Sequence, residues 1–402
     1  MPGIMGILSR HPRGNEEEKL QIMLDSMVYE PFYTYGTFLN RECGFFIGFV
    51  SIGGAFSDCM PIYNEKRDLV MFLTGECYTD SEVIHDLRRR HEFEPMDGSY
   101  LIHMYEEQGE NFFQNLNGWF NGLILNLNDG NAILFNDRFG IRRIYYYEND
   151  DGLIFSSEAK SLLKAFPSLR KVDYQSVGEY LVYDCVLENR TYFSDISLLP
   201  QGSAWNIMHG RTHKKRYFDP VSLEAMPVLT EREYYEELSG TFVKILPRYF
   251  AGKAVGMSLT GGLDTRMIMA CRNPAPGELP CYTFGGKYRD ILDVRIAPRV
   301  ARACRQQHTT LRLDDDEYLG QYSHHVNRSI YISDGMLSVD KADAICFNQM
   351  ARKIAPIRIT GKYGSQVLKS VFGLQDRSPD DQLIHHDFSH HLMRAKDTCS
   401  QI

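Results

Sequence analysis

Residues 254–270 read AVGMSLTGGLDTRMIMA, and this stretch decides the fold class of the second half of the chain. Its apolar start, residues 254–259, predicts a buried strand, and residues 265–272 predict a helix. Between them lies Thr260-Gly261-Gly262-Leu263-Asp264-Thr265, which we call the glycine loop. A strand, a glycine loop and a helix in this order predict a cradle for an anion, because two glycines let backbone amides approach closely and the helix N-terminus adds positive partial charge.

The side chains of the glycine loop suit phosphate chemistry. Thr260 and Thr265 can donate hydroxyl hydrogen bonds to phosphate oxygens. Asp264 would repel a phosphate unless Mg²⁺ lay between them, so it is a candidate metal ligand. The loop matches neither G-x-x-x-x-G-K-[ST] nor G-x-G-x-x-G. From spacing alone, a plain strand–helix turn capped by Asp264 is as good an interpretation as an anion cradle.

The rest of the second half alternates between helical and extended patterns. Residues 230–250 have the apolar spacing of a long amphipathic helix, and Thr230-x-x-Glu233 is a capping-box signature at its start. The later segments are predicted as strands at 281–284, 309–313 and 357–360 and as a helix at 294–306. Alternation of this kind is typical of a parallel α/β sheet.

The first half has short apolar and aromatic runs separated by turn residues. Asp151-Gly152 is a hairpin-type turn between two of these runs. The predicted strands are residues 131–136, 143–147 and 153–157, and the predicted helices are residues 81–90 and 99–108. This pattern indicates an α+β fold with antiparallel sheets. We expect the boundary between the two halves near residues 205–225.

Length and composition limit the classes of protein. A chain of 402 residues is long enough for two or three domains. Its 44 Lys and Arg residues against 52 Asp and Glu residues leave a net charge of −8, which argues against a nucleic-acid partner. No apolar run approaches the ~18 residues of a membrane span, and no secretory signal is recognisable. Nine irregularly spaced cysteines without a Cys-x-x-Cys pair indicate reduced thiols, so we expect a cytoplasmic protein with no membrane partner.

Six segments, in chain order, resemble the asparagine synthetase family. The glycine loop is similar to the pyrophosphate loop of ATP pyrophosphatases, SGG-hydrophobic-DS. The other five are Thr74–Tyr78 (TGECY, family NGEIY), Leu116–Ile124 (LNGWFNGLI, family LxGMFAFAI), Asp137–Tyr147 (DRFGIRRIYYY, family DRFGIKPLYY), Leu153–Leu163 (LIFSSEAKSLL, family LxFASExKAL) and Leu198–Gly202 (LLPQG, family LPPG). Each segment alone is weak, but the ordered set, within residues 1 to about 370, is specific to this family.

The resemblance implies an α+β Ntn-hydrolase-like glutaminase domain followed by an α/β adenine-nucleotide α-hydrolase-like (ATP pyrophosphatase) domain. We expect the first, a class II glutamine amidotransferase-like domain, at residues 1–210 and the second at residues 225–402. In the family, the first domain releases ammonia from glutamine. The second activates a carboxylate as an acyl-adenylate, releasing pyrophosphate, and an amine attacks it. ATP and Mg²⁺ are therefore the implied cofactors.

The resemblance also implies the residues of the nucleotide site. The positions that match the family's ATP and pyrophosphate pocket are Leu259, Thr260, Gly261, Gly262, Asp264, Thr265, Phe284, Thr360 and Gly361, with Asp264 as the Mg²⁺ ligand. Phe284 matches a position that packs on adenine, but a phenylalanine on a strand is equally a core residue. Further candidates for substrate contact, or for helix caps, are Arg289, Asp290 and Asp293.

The sequence departs from the family at its start. The family needs a cysteine directly after Met1, because its thiolate attacks the glutamine amide while the free α-amine acts as the base. Here that position is Pro2, the nearest cysteine is Cys43, and the family's glutamine-gripping arginine has no clear match. Asp97 lies near the family's glutamine-contacting aspartate. We therefore expect no glutamine hydrolysis and a first domain that persists as a scaffold.

A second departure lies in residues 359–368, ITGKYGSQVL, where the family has SGEGADE. An ungapped alignment places Lys362 at the catalytic glutamate, and Ser365 and Gln366 at the last two acidic positions. One inserted residue instead matches the TGYGSD of beta-lactam synthetases. Both alignments remove the second metal carboxylate. Lys362, the candidate catalytic residue, or Arg266 can supply positive charge to phosphates instead, although both also suit an exposed surface.

A third departure is length, because the second domain of the family usually has many more residues after the position of Gly361 than this chain has. The polar tail at residues 375–402 does not resemble the missing helices, so the domain is expected to be truncated. In that tail, His386 and His390 could share one helix face toward a metal, but a polar surface segment is the stronger interpretation. Likewise, the acidic run 314–317 is more typical of a helix start than of a metal site.

These observations lead to one principal hypothesis and two alternatives. The principal hypothesis is an ATP-dependent amide ligase of the asparagine synthase type, in which a small-molecule carboxylate is joined to ammonia or another amine without glutamine hydrolysis by this chain. One alternative is a tailored amide ligase or cyclase, like beta-lactam synthetases. The other is a pseudoenzyme or scaffold that binds a nucleotide or a partner without chemistry. The sequence leaves open whether the chain is a monomer or a homodimer.

Overall fold

The computed structural model describes residues 2–94, 96–208, 211–250, 254–286, 290–313, 315–362, 364, 374–379 and 384–401. It divides into two compact units. The first combines the chain up to Met226 with the segment from Leu374 onward, and the second extends from Pro227 to Gly373. Among the helices of these described residues, none is both long and apolar enough to cross a bilayer. All nine cysteines are free thiols.

The first unit contains two six-stranded sheets with antiparallel pairing. The strands are β1 (Gly3–Ser9), β2 (Tyr33–Asn40), β3 (Phe45–Ile52), β4 (Ile62–Tyr63), β5 (Leu69–Cys77), β6 (Gly118–Asn126), β7 (Asn131–Asn136), β8 (Tyr145–Asn149), β9 (Gly152–Ser156), β10 (Ser197–Leu198), β11 (Ala204–Met208) and β12 (Arg211–His213). One sheet has the order β10-β8-β9-β1-β3-β2 and the other the order β12-β11-β7-β6-β5-β4. The antiparallel prediction for this half is confirmed, although the strand predicted at 143–147 begins later, at Tyr145.

The α-helices of the first unit that precede residue 190 accompany these sheets. They are α1 (Glu16–Met27), α2 (Ser81–Arg88), α3 (Tyr100–Gln108), α4 (Asn111–Asn115), α5 (Ala159–Ala165) and α6 (Tyr174–Tyr183). Strand β1 shows why its sheet is covered by the other sheet on one face and by helices on the other. Its Ile4 and Leu8 belong to a core shared by the two sheets, whereas Met5 and Ile7 pack with apolar residues of α1 and α5. Because side chains alternate along a strand, an apolar strand buried on both sides requires a layer on each face.

One loop motif of the first unit is organised by a buried carboxylate. Asp137 is 1 % exposed, and its two oxygens accept backbone N–H groups of Phe120, Phe139, Ile141 and Arg142 at 3.0–3.2 Å. Such a carboxylate stabilises the turn after β7, because it satisfies donors that would otherwise be left unpaired. The DRFG segment therefore has a structural role in this unit.

The second unit has a parallel sheet. Its strands are β13 (Val255–Ser258), β14 (Cys281–Gly285), β15 (His308–Arg312) and β16 (Ile357–Ile359), in the order β15-β14-β13-β16. Its helices are α7 (Glu231–Ile245), α8 (Leu263–Arg272), α9 (Leu292–Ala303), α10 (Asp315–Gly320), α11 (Tyr322–Ser333) and α12 (Asp343–Arg352). The predicted parallel sheet is confirmed. The capping box at Thr230 and Glu233 is present, but α7 ends at Ile245 and a short 3-10 helix, Leu246–Tyr249, comes after it.

The C-terminal segment differs from its predicted place. The last helix, α13 (His386–Gln401), belongs to the first unit and packs on α6, whereas we predicted that the second domain would extend to residue 402. The reason is an apolar stripe in a polar segment, since Leu392 and Ala395 are buried against Val182. A backbone N–H of Arg377 also donates to the carbonyl oxygen of Val182 at 2.7 Å.

Gly178 sets the approach of α6 and α13. A Cβ atom at this position would lie 2.8 Å from the carbonyl oxygen of His391. We therefore expect Gly178→Ala to lower the free energy of unfolding by about 1–3 kcal/mol, because the clash with backbone outweighs the gain in helix propensity. Urea unfolding followed by circular dichroism measures this change.

The matched control is Gly240→Ala in α7, where a Cβ meets nothing within 4 Å. It is expected to raise the free energy of unfolding by about 0.5–1 kcal/mol, as alanine does in an open helix. Equal effects of the two substitutions would contradict a tight α6–α13 contact.

Candidate functional site

The candidate site lies at the carboxyl edge of the parallel sheet. From β13 the chain proceeds to β14 and then β15 on one side, and β16 returns to the other side of β13. The pairing of β13 with β16 places Met257 opposite Ile359, so the glycine loop and Thr360-Gly361 leave the sheet side by side. In open α/β sheets, this reversal of strand order creates the crevice in which ligands bind.

Two glycines allow the two segments to touch. A Cβ atom on Gly361 would lie 2.8 Å from the Cβ atom of Asp264 and 3.0 Å from the backbone nitrogen of Thr265. A Cβ atom on Gly364 would lie 2.7 Å from the carboxyl carbon of Asp264. Only glycine fits at these two positions without displacement of the glycine loop. The structure thus brings together Asp264, Thr265 and Gly361, which the sequence placed in one site.

The hydroxyl groups of the glycine loop bond to the loop itself. Thr265 is buried, and its Oγ1 lies 3.1 Å from Thr260 Oγ1 and accepts the Thr260 N–H at 3.3 Å. Thr260 Oγ1 in turn accepts the N–H of Gly262 at 3.2 Å. Helix α8 begins at Leu263, so the cap position is Gly262 and Asp264 lies in the first turn. The interpretation of Asp264 as the helix cap is therefore wrong.

The N–H of Gly261 donates to the carboxylate of Asp293, at 2.8 Å from Oδ1. Asp293 lies in the first turn of α9, on the next strand–helix unit of the sheet. A carboxylate oxygen is an anionic acceptor, like a phosphate oxygen, so this contact fits a loop amide suited to anions. Of the three candidates beyond Phe284, Asp290 instead pairs with Arg312 at 2.5 Å and Arg289 lies outside the described residues.

Leu259 and Phe284 contribute the apolar part of the site. Leu259 is fully buried, and its carbonyl oxygen accepts the hydroxyl of Thr283 at 2.6 Å. Phe284 is half-buried and packs on Phe347, with ring centroids 4.8 Å apart. Phe284 therefore has the core role that the sequence allowed, and its match to an adenine position stays a prediction.

Arg358 is a functional candidate that the sequence reasoning missed. Its guanidinium carbon lies 4.8 Å from the centre of the Phe284 ring, and its Nη2 donates to Ser258 Oγ at 3.0 Å. It therefore carries positive charge to the sheet edge beside the glycine loop. The sequence does carry a signal for Arg358, because an arginine between two isoleucines is unusual in the middle of a predicted strand (β16, IRI).

Of the remaining predicted site residues, the structure describes the two cations but not the two residues aligned with the missing acids. Lys362 is exposed, and its backbone N–H donates to Thr360 Oγ1 at 3.3 Å. Arg266 is also exposed, and its Nε donates to the carbonyl oxygen of Gly262 at 3.3 Å. Ser365 and Gln366, the aligned positions of the missing acidic residues, lie outside the described residues. Asp264 lies within the glycine loop and Asp293 reaches its Gly261, and their carboxylates are oxygen donors of the kind that Mg²⁺ takes, so these residues fit this ion.

The aligned nucleophile position of the first unit has no thiol. Pro2 directly precedes β1, and the N–H of Ile4 donates to Ser157 Oγ at 3.0 Å. Glu158, next in the chain, is 1 % exposed, and burial raises the pKa of its carboxyl group although Lys160 beside it acts in the opposite direction. The side chains beside this end of β1 therefore include a hydroxyl and a buried acid.

Cys43 cannot replace the missing thiol. It lies in the turn between β2 and β3, next to Gly44, whose carbonyl oxygen accepts the N–H of Ser9. Pro2 and Ser9 are at opposite ends of β1, about 20 Å apart at the usual rise of a strand. Burial also raises the pKa of the Cys43 thiol, which disfavours the thiolate.

Three weaker candidates of the sequence lie at or near the starts of helices. Asp97 accepts the N–H of Ser99 at 2.8 Å, directly before α3. His386 and His390 lie in α13, and His386 and Asp387 are exposed, as is His385 directly before the helix. The acidic run includes the start of α10 at Asp315, as predicted.

Comparisons with known proteins give a consistent result for the first unit. A family model described as a glutamine amidotransferase domain matches residues 1–218. Asparagine synthetase (glutamine-hydrolyzing) 1 of Bacillus subtilis (strain 168) is 24 % identical over 333 residues, covering 80 % of this chain and 51 % of that protein. Asparagine synthetase (glutamine-hydrolyzing) of Zea mays is 38 % identical over 104 residues, covering 25 % of this chain and 18 % of that protein.

Similarity to solved structures is more distant. The glutamine phosphoribosylpyrophosphate amidotransferase from B. subtilis, complexed with ADP and GMP, has a TM-score of 0.38 and 11 % identity, over 77 % of this chain and 65 % of that one. The alignment with asparagine synthetase (glutamine-hydrolyzing) 1 of B. subtilis covers 51 % of that protein, so this chain spans about half of its length.

Removal of the Asp293 carboxylate tests the anion character of the glycine loop. In buffer without Mg²⁺, we expect Asp293→Ala to bind inorganic pyrophosphate several-fold more tightly than the unaltered chain, because the N–H of Gly261 is released and a nearby negative charge is lost. Isothermal titration calorimetry measures the affinity.

The control for this experiment is Glu237→Ala, which makes the same change of net charge on the exposed face of α7. It is expected to leave the affinity for pyrophosphate unchanged. Equal affinities of Asp293→Ala and the control would show that the glycine loop does not bind anions through Gly261.

Proposed function

We propose that this chain, which belongs to the asparagine synthetase family as a divergent member, is an ATP-dependent carbon–nitrogen ligase. In this proposal the second unit activates a small-molecule carboxylate as an acyl-adenylate, with ATP cleaved to AMP and pyrophosphate. Ammonia or another amine then attacks the activated carbonyl carbon, an amide bond forms and AMP leaves. The first unit, a glutamine amidotransferase domain, does not supply that ammonia from glutamine.

The observation that carries this proposal is the meeting of two loops at the sheet edge. The glycine loop after β13 and Thr360-Gly361 after β16 flank the reversal of strand order, and Asp264 packs against both Gly361 and Gly364. A site of this kind can hold a phosphate chain between backbone amides and a helix N-terminus. Cleavage at the α-phosphate needs such positioning, because most of the catalysis of phosphate displacement comes from orientation and charge stabilisation.

Individual residues have distinct roles in this proposal. Asp264, with Asp293 at the same loop, would hold Mg²⁺, which when bound neutralises phosphate charge and orients the leaving pyrophosphate. Arg266 and Lys362, both exposed and next to the two loops, would add positive charge around the phosphates. Arg358, held by Ser258 and the Phe284 ring, is placed to orient an anionic group at the sheet edge.

The absence of glutamine hydrolysis is proposed from chemistry at Pro2. A proline has no side-chain nucleophile, and class II glutaminase chemistry requires a thiolate on the residue after Met1. Ser157 does not serve instead, because it lies inside the chain and so has no free α-amine to act as its base. The first unit would then act as a scaffold.

A second candidate function is a nucleotide-binding pseudoenzyme or scaffold. The specific observation in its favour is the bond between the N–H of Gly261 and Asp293, together with the internal bonds of Thr260 and Thr265. A loop whose donors are satisfied within the chain gains less from an added phosphate. This candidate predicts nucleotide binding, or none, without any formation of AMP.

The Asp264→Ala variant tests the nucleotide site. We expect the affinity for Mg²⁺–ATP to fall at least tenfold, about 1.4 kcal/mol, because the carboxylate ligand of the metal is lost. Calorimetry on the full chain measures this change, with Glu237→Ala as the charge-matched control. Unchanged affinity would exclude the glycine loop as the nucleotide site.

The source of nitrogen gives a further prediction. We expect no glutamate from glutamine, and AMP formation that depends on a carboxylate together with ammonium or an amine. The measurement is chromatography of AMP and glutamate with each nitrogen source in turn. Glutamate release that persists in the purified chain would contradict the proposal, and AMP formed only with an amine-bearing carboxylate would indicate a cyclase of the beta-lactam-synthetase type.

A further inference from the structure

Four side chains of the first unit converge on one point that the proposed ligase chemistry does not use. Glu65 lies in the turn between β4 and β5, His91 lies shortly after α2, and His103 and Glu106 lie one turn apart on α3. One donor atom from each residue lies within 4.8 Å of the donor atoms of all the others. We call this group the His–Glu cluster.

The distances within the His–Glu cluster suit a single metal ion. His91 Nδ1 lies 2.9 Å from Glu65 Oε1, and His103 Nδ1 lies 3.3 Å from Glu65 Oε2 and 3.2 Å from Glu106 Oε2. Ligands about 2.0–2.1 Å from a tetrahedral metal are about 3.3 Å from one another. These three distances are close to that spacing, and one donor atom from each of the four residues lies within 4.8 Å of the others.

The side chains behind the cluster hold its donors in place. His91 Nε2 lies 3.1 Å from Glu107 Oε1, and Glu107 is held by Arg90 through two hydrogen bonds of 2.7 and 2.9 Å. In the metal-bound form, an Nε2 proton donated to Glu107 would leave the Nδ1 lone pair of His91 for the ion. Asn64 donates to Glu106 Oε1 at 2.8 Å, which leaves Oε2 toward His103. Carboxylates and amides in this outer position are typical of histidine metal sites.

Burial distinguishes the cluster from a set of surface charges. The side chain of His103 is only 3 % exposed, and those of His91 and Glu106 are 17 % and 20 % exposed, whereas that of Glu65 is 48 % exposed. Three ligands are thus largely shielded from water, and Glu65 leaves a path for an ion to enter. The largely buried carboxylate of Glu106 and the half-exposed carboxylate of Glu65 both face the imidazoles, and a divalent cation among them would compensate this negative charge.

We propose that Glu65, His91, His103 and Glu106 form a structural site for one divalent transition-metal ion of the Zn²⁺ class. Two nitrogen and two oxygen donors that converge within 4.8 Å of one another match the ligand preference of this ion. The ion would join the β4–β5 turn and the segment after α2 to helix α3, and so stabilise this side of the first unit. No part of this proposal depends on nucleotide binding or on amide formation.

The test compares Zn²⁺ binding by the metal-free full chain and by Glu65→Gln, under conditions that keep the thiols reduced. We expect one equivalent of Zn²⁺ to bind tightly to the unaltered chain and to raise its thermal midpoint. In Glu65→Gln the affinity is expected to fall at least tenfold and the rise in midpoint to disappear. Because Glu65 is half exposed, the metal-free variant is expected to unfold at the same temperature as the metal-free parent.

The control is the double variant His385→Ala and His386→Ala, which disrupts the exposed His385, His386 and Asp387 group at the start of α13. It is expected to keep the tight equivalent. Co²⁺ provides a second readout, because a tetrahedral nitrogen and oxygen site gives strong visible absorption without the near-ultraviolet bands of thiolate ligands. Tight binding that survives Glu65→Gln, that is lost in the double variant, or that shows thiolate bands would overturn the proposal, as would the absence of tight binding.

Discussion

The parallel pairing of β13 with β16 is the constraint on which the candidate site depends. Met257 opposite Ile359 brings the ends of two strands together that are about 100 residues apart in the chain. Because each strand leads at once into a glycine-containing segment, the register of the sheet also sets the distance between those segments. A change of register would separate Asp264 from Gly361 and remove the crevice.

Close backbone approach is the second requirement of this edge. Gly361 and Gly364 have no Cβ atom, and Asp264 occupies the space that a Cβ would need. The glycines therefore serve packing between the two loops, independently of whether a nucleotide binds there. The same edge also binds a negative charge, since the carboxylate of Asp293 in α9 accepts a hydrogen bond from the N–H of Gly261. The edge of the sheet is thus arranged for an anionic oxygen.

The first unit shows that packing holds strand β1 in place independently of the residue at position 2. Strand β1 is buried on both faces and pairs with β3 and β9, so its place depends on Ile4, Met5, Ile7 and Leu8 rather than on the residue before it. A proline at position 2 has no cost to the ladder, because the pairing of β1 begins at Gly3. Packing and chemistry are separable here, and that separation is why family membership does not by itself establish the activity of this chain.

Periodicity and turn residues in the sequence were sufficient to predict four features. These are the antiparallel sheets of the first half, the parallel sheet of the second half, the strand–glycine loop–helix segment and the capping box at Thr230. These features depend on neighbours in the chain, so local patterns reveal them. Tertiary structure alone decided the partner of Gly261, the position of Arg358 beside Phe284, the docking of α13 on α6 and the convergence of the His–Glu cluster. Each of these features joins residues from distant segments. A local pattern can single out a residue such as Arg358, but its contact partner depends on strand order and helix packing, which the local pattern does not contain.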